Sequence, residues 1–543
     1  MFVLCASALM AVHRTPPLPV PAPAAIRTAL ANPLITRSLR GTHTDRTTVD
    51  RVDDRFDRVS FYSGARIQAE VEVDARGSGQ EVDFHHMPVP YGSWIAYIPA
   101  LVAGLAALFV LMTAVAPLWR LRNLDVVAVL SLLAPVALLK ARYIEASVLA
   151  SAAPMLYLLG RCASYGLGER RPAAPSTPLW SLATSGLDVR ARVRILRLVA
   201  IALALAVVMI GVSSNDAVDV IYAVMEGATN LVHGLLPYGH MPGDVVHGDT
   251  YPILSYALYV PLALVAPVSS RWNSVDLALA FTALVALGTA AMLAGFTFAG
   301  SAAPGRGRPR ARVRSADDVE AGLRGAIAWL AFPPLVITVS TGTTDVVLAG
   351  LLVVAVLVWR RPSLCSAVVG LTAWFKLAPA ALLVFVFAPL TGKARGRAFA
   401  TLAAVSVPLV GLLIAFGGAG GFSAMIHAVA FQFSRGSQQS IWSAAGLQAW
   451  QPIGQAGVLA LLAAGAVRLR QEPALAEDRQ RMAALAAAVL IGLQLVANYW
   501  AFLYVVWFVP LVALSVLSPA RTEPATVPVA VPALRPVADA APA

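Results

Sequence analysis

Thirteen apolar segments follow one another between residues 93 and 518, separated by more polar stretches, and this succession leaves the chain few folds to choose from. They run at 93–117, 123–139, 143–160, 193–212, 252–268, 275–299, 323–340, 344–359, 364–390, 399–416, 453–467, 481–497 and 499–518. A bilayer offers backbone N–H and C=O groups no partners, so each segment is expected to be helical. With 58% hydrophobic and 13% charged residues and a mean hydropathy of +0.72, the composition is far from that of a soluble domain. The expected fold class is an all-α polytopic membrane protein with about 11–13 transmembrane helices, some of them broken or re-entrant.

The net charge of +12 does not point to nucleic acid. Its basic residues sit in short clusters between apolar segments, at Arg120 and Arg122, Arg190 to Arg197, Arg306 to Arg314, Arg360 and Arg361, Lys393 to Arg397, and Arg468 and Arg470. That is the spacing the positive-inside rule produces. Cys5, Cys162 and Cys365 are scattered, which suits neither a disulfide framework nor a thiolate metal site.

Four regions are expected. Residues 1–91 form a polar, partly disordered N-terminal region. Within it, Met1 to Val12 is too short to span a bilayer and follows no basic residue. PPLPVPAPA reads as flexible or polyproline-like, and Asp45 to Arg58 as solvated. Ile67, Ala69, Val71 and Val73 alternate with Gln68, Glu70, Glu72 and Asp74, the period of a short strand. Residues 92–178 carry a three-span preface and the linker RRPAAPSTP, 179–518 the main membrane module, and 519–543 a Pro/Ala-rich disordered tail.

Between two apolar segments, Gly211 to Pro252 gathers Asp216, Asp219, Glu226, Asp244 and Asp249 with His233, His240 and His247. Carboxylates at a membrane edge are costly and mark functional sites. Arg190, Arg192, Arg194 and Arg197 put the start of segment 193–212 in the cytoplasm, so this loop is expected to be extracytoplasmic. Two full spans between Pro252 and Ala299 would then place GRGRPRARVR outside as well, against the rule. A partial or re-entrant 252–268 helix removes the conflict. Segment 364–390 has basic clusters at both ends and Lys376 with Pro379 in its middle, the pattern of two short helices meeting at Lys376. Two readings stand for that lysine: one paired with a carboxylate or snorkelling, and one held for a phosphate.

The run Asp219-Val-Ile-Tyr222, then Gly234-Leu-Leu-Pro-Tyr238, then Tyr251-Pro252 resembles the first outer loop of the GT-C superfamily, and most of all glycosyltransferase family 87. Gly342 and Asp345 between two spans, Phe375-Lys376-Leu-Ala-Pro379, Gln438-Gln439-Ser440 and the aromatic NYWAFLYVVWFVP follow in the family's order, over roughly 193–518. GHMPGDVVHGD stands before Tyr251 as an insertion, and the preface lies outside the common core.

The resemblance implies a polyprenyl-phosphate-mannose-dependent α-mannosyltransferase of the plasma membrane, acting on an envelope glycolipid or glycan. It needs no cofactor, and its partners are the lipid-linked donor, the acceptor and membrane lipid, not nucleic acid. Such a reaction asks for a carboxylate base beside the acceptor and a cation beside the leaving phosphate. Asp219 matches the family's acidic position and is the first choice as base, and Asp216, about one helical turn earlier, is the rival. Lys376 and Arg435 are the candidate phosphate ligands, with sugar hydroxyls or an ordinary interfacial place as the other readings of Arg435. Tyr222, Tyr238, Tyr251, Gln438 and Gln439 are expected to line the substrate site, and Asp345 either caps a helix or joins them. His240, Asp244, His247 and Asp249 suit a divalent cation, acceptor hydrogen bonds or a solvated loop. Pro242, Gly243 and Gly248 argue against the helical geometry a metal would use. Trp442, Trp450, Trp500 and Trp507 read as interfacial belt aromatics. A lipid-linked-sugar flippase or transporter, or an inactive scaffold, remains the alternative function.

Overall fold

The computed structural model describes residues 18, 20–52, 56–74, 81–84, 93–168, 176–214, 217–242, 245–268, 275–296, 315–435 and 439–518. The apolar Met1 to Val12, Asp216, Asp244, Gln438, GRGRPRARVR and the tail after Ser518 lie outside these residues.

Helices dominate, as the apolar segments require. Among the described residues, six are long and apolar enough to cross a membrane: Leu121–Lys140, Ile144–Leu167, Val189–Val212, Asp276–Gly295, Gly392–Phe433 and Gln448–Gln471. The pair Ala316–Leu330 and Pro333–Thr341 becomes a seventh if it counts as one span. It bends by 56° where the sequence suggests one straight helix. Pro333 and Pro334 explain the break, because neither can donate to the preceding turn. Shorter apolar helices at Pro99–Thr113, Asp345–Leu357, Pro362–Phe375, Ala378–Phe387 and Phe502–Leu514 occupy the other expected segments. Segment 252–268 holds only Leu254–Ala257 and Val260–Val265, far short of the roughly 20 residues a crossing needs.

The helix Arg479–Leu495 sits at the centre, buried almost all round. Its run of alanines lets neighbours approach closely, and Ile144–Leu167 packs along it. Arg481 donates to the carbonyls of Gly166 and Gly168, satisfying the open end of that neighbour. Arg324 likewise donates to the Met112 carbonyl at 3.0 and 3.2 Å. The preface is therefore continuous with the module, and one hydrophobic core runs through both.

The N-terminal region holds more structure than its composition suggests. Strands β1 (Arg46–Arg51), β2 (Phe56–Ser63), β3 (Arg66–Asp74) and β4 (Glu81–Phe84) form an antiparallel sheet in sequential order. The stretch Asp45 to Arg58, expected to be solvated, supplies β1 and the start of β2. Helices Ala22–Ala31 and Pro33–Leu39 cover one face, burying Ala25, Ala29 and Ile35 against Val59, Phe61, Ala69, Val71 and Val73. The first of them begins inside the Pro-rich run, with proline in its first turn where no N–H is needed.

Candidate active site

Two helices start side by side at one end of the bundle, and each starts with an aspartate. Asp219 opens Asp219–Val232 and Asp345 opens Asp345–Leu357. The Val218 N–H donates to the Thr341 carbonyl at 3.0 Å, which ties the first start to the end of helix Pro333–Thr341. That helix stops at Gly342, whose φ of +73° suits glycine. A Cβ there would come within 2.5 Å of the Leu279 side chain. Gly342→Ala should therefore lower stability by more than about 1 kcal/mol, read as a lower unfolding midpoint in detergent micelles.

Asp345 is 1% exposed and Lys376 8%, and they form an ion pair at 2.5 Å. The Trp507 indole N–H donates to the same Asp345 oxygen at 2.7 Å. Lys376 stands just after helix Pro362–Phe375 and before the turn Ala378–Leu382, at the break the sequence suggests. Its ammonium lies 5.7 Å from the Tyr251 ring centre, 5.4 Å from Tyr504 and 5.2 Å from Trp507. Of the two readings of this lysine, the structure supplies the carboxylate partner, within an aromatic cage.

From the cage, aromatic contacts lead on to Arg435. Tyr504 meets Tyr499 at 6.2 Å, and the Arg435 guanidinium covers Tyr499 at 3.9 Å. Arg435 Nε is buried and has no hydrogen-bond partner among the described residues. Burial pushes the Tyr251 hydroxyl well up, the Asp219 and Asp345 carboxylates raise it further, and Arg435 opposes them. Asp345, Lys376 and Arg435 thus stand along one run of rings, Tyr251, Trp507, Tyr504 and Tyr499, and the charge of Asp219 acts on the Tyr251 hydroxyl. Asp219 itself is exposed, with its carboxylate on the Val220 N–H at 2.8 Å.

The rest of the loop is built around aromatic packing. Tyr238 donates to the Tyr251 carbonyl at 3.0 Å, and Tyr256 donates to the Gly248 carbonyl at 2.7 Å. Tyr222 is buried in helix Asp219–Val232. Gly227 lets the Tyr256 ring lie against that helix, where a Cβ would meet the ring at 2.2 Å. Asp249 accepts the Gly239 N–H at 3.0 Å, a staple across the inserted turn. His240 is exposed, its ring on the Tyr238 carbonyl at 3.1 Å. His247 stacks on Phe431 at 4.5 Å. Among the described residues, no three His, Cys, Asp or Glu side chains gather as a cation site. Gln439 takes part through its carbonyl, which accepts the Trp500 N–H at 2.8 Å.

Burial raises the Asp249 pKa, while the Gly239 N–H pulls it back. A carboxyl whose folded pKa exceeds its unfolded value favours folding when protonated and loses that contribution as pH rises through the folded pKa. Asp249→Asn keeps an oxygen for Gly239 and removes the charge. It should leave stability at pH 7 unchanged or higher, with the gain shrinking in acid, checked by unfolding midpoints at pH 7 and pH 4.

Three of the four tryptophans read as belt residues are built into the interior. Trp507 holds Asp345, Trp442 donates to the Leu495 carbonyl at 2.8 Å, and Trp500 is 1% exposed. Only Trp450 among them, at 60%, is broadly exposed. Tyr499, Tyr504 and Phe431 were not singled out by the sequence; the aromatic density of NYWAFLYVVWFVP is the signal that could have found the first two.

The model of glycosyltransferase family 87 matches residues 250–519, a span that takes in Tyr251, Asp345, Lys376, Arg435, Tyr499 and Trp507. Comparison with curated proteins and with solved structures gives no match. The matched region makes this chain, with its many apolar helices, a member of glycosyltransferase family 87, a membrane glycosyltransferase of the GT-C type.

Proposed function

We propose that the protein transfers a hexose, mannose in preference, from a polyprenyl-phosphate donor to an envelope glycolipid or glycan, at the extracytoplasmic face of the plasma membrane. The observation that carries this reading is the buried Asp345–Lys376 pair facing Tyr251, joined through Tyr504 and Tyr499 to Arg435 and its buried Nε, unpaired among the described residues. Asp219 takes the proton of an acceptor hydroxyl, whose oxygen attacks the anomeric carbon. The bond from that carbon to the phosphate oxygen breaks, and its electron pair leaves with the lipid phosphate. Arg435 is the better placed phosphate ligand, because its buried Nε has no other hydrogen-bond partner among the described residues. Lys376 would share itself between the phosphate and Asp345.

Direct displacement with one base inverts the anomeric centre. Retention would need a nucleophilic carboxylate, and Asp345 is held by Lys376 and Trp507. A β-linked donor therefore gives an α product. Tyr222, Tyr238, Tyr251, Gln438 and Gln439 would surround the sugar, with His240, His247 and Asp249 on the acceptor side. No cofactor is required in this reading.

The test is transfer by purified protein in lipid nanodiscs, with radiolabelled polyprenyl-phosphate mannose and an envelope lipid extract. Label should enter the acceptor through an α linkage, and chelator should leave the rate unchanged. Donor carried across a vesicle membrane without a new glycosidic bond would favour the transporter instead.

A further inference from the structure

The strand register pairs Phe56 with Asp74, Arg58 with Glu72 and Ser60 with Glu70, so these six residues share one face of the N-terminal sheet. The opposite face already has its cover in the two N-terminal helices. An antiparallel sheet covered on one side ordinarily gives its polar side to water. Here Glu70 is 8% exposed, Glu72 2% and Asp74 4%. The family-matched region begins far beyond this sheet, at residue 250.

The membrane module buries it. Phe56 stands edge-on to His247 at 5.6 Å, and His247 stacks on Phe431. Glu72 Oε2 lies 3.9 Å from His247 Nε2. The Arg435 guanidinium lies 5.6 Å from the centre of the same Phe431 ring and also covers Tyr499. Within the face, Arg58 bonds Glu72 Oε1 at 2.6 Å and approaches Glu70 Oε1 at 3.4 Å, while Ser60 donates to Glu70 Oε2 at 2.7 Å. Glu72 Oε2 is buried and receives no hydrogen bond among the described residues.

We propose that this face is a wall of the active site, and that Arg58, Glu70 and Glu72, with His247, form a subsite for the hydroxyls of the acceptor sugar. Docking alone would be served better by apolar residues, since burying charges costs several kcal/mol for each ion. Charge sign selects the ligand. Clustered carboxylates repel a lipid phosphate, whereas neutral sugar hydroxyls donate to them and accept from a guanidinium or imidazole. Continuity through His247 and Phe431 to Arg435 puts the subsite beside the reacting centre. The inference rests on the membrane glycosyltransferase reading, in which the acceptor is a sugar.

The experiment uses the full chain in nanodiscs and soluble methyl glycosides of mannose, galactose and arabinose, followed by saturation-transfer NMR, with the donor KM measured in parallel. The wild type should bind at least one glycoside saturably. Glu72→Gln and Arg58→Gln should weaken that binding at least tenfold, with donor KM within twofold. Phe56→Leu loosens the contact with His247 and leaves the charged groups in place, so it should weaken glycoside binding less than threefold. Unchanged binding in both charge variants would overturn the proposal. So would no saturable binding by the wild type, or a tenfold loss in Phe56→Leu. Glycoside binding without transfer from polyprenyl-phosphate mannose would count against the proposed donor and leave the subsite standing.

Discussion

Asp345→Ala should cost about 3–5 kcal/mol of stability, because it leaves the Lys376 ammonium buried without its anion. Lys376→Met should cost a comparable amount by stranding Asp345, whose remaining partner is the Trp507 indole. The double variant Asp345→Leu, Lys376→Met replaces the pair by apolar groups of similar size. Such swaps are often neutral or stabilising, so it should recover most of the lost stability. Chemical unfolding in micelles reads all three. Activity should not recover with stability, because the cation beside the leaving phosphate and the anchor for Trp507 are both gone. A loss below about 1 kcal/mol in Asp345→Ala would mean that water reaches the pair.

The largest effect on turnover is expected from Asp219→Asn. A positioned general base contributes about 10²–10⁴-fold to a reaction of this kind, and the amide cannot accept the acceptor's proton. The substitution preserves size and leaves an oxygen for the Val220 N–H that Asp219 now holds. Asp219 is exposed at the start of its helix, so folding should tolerate the change. Donor KM should stay within about threefold, since the phosphate ligands are untouched, and kcat should carry the loss. Asp216→Asn should retain most of the activity; the reverse result would transfer the role of base to Asp216.

How much of this was written locally in the chain follows from the range of each interaction. The broken helix at Lys376 and the short helices after Pro252 are local consequences of proline and of segment length, and they stand where the sequence suggests. The partner of Lys376 is another matter. Asp345 lies 31 residues away, and the sequence offered several carboxylates with no means to choose among them. Trp507 reads as an interfacial ring because it sits in an apolar segment near a polar turn. Its indole N–H instead bonds an aspartate 162 residues earlier, a pairing no window reveals. The alternation Ile67 to Asp74 did disclose a strand, but alternation says only that the two faces differ. It does not say that the charged face meets a membrane module rather than water. Asp249 shows another limit: its place beside Tyr251-Pro252 suggests substrate, and nothing local in the sequence indicates that one of its oxygens also accepts the Gly239 N–H.

Single-turnover transfer is the most direct test of the central claim, that Asp219 is the base of a sugar-transfer site it shares with Lys376, Asp345 and Arg435. Nanodisc-embedded wild type and Asp219→Asn are each loaded with radiolabelled polyprenyl-phosphate mannose, freed of unbound donor and mixed with acceptor. Both should retain the donor, and only the wild type should pass label to the acceptor within the first turnover. Transfer by Asp219→Asn at the wild-type rate would contradict the account.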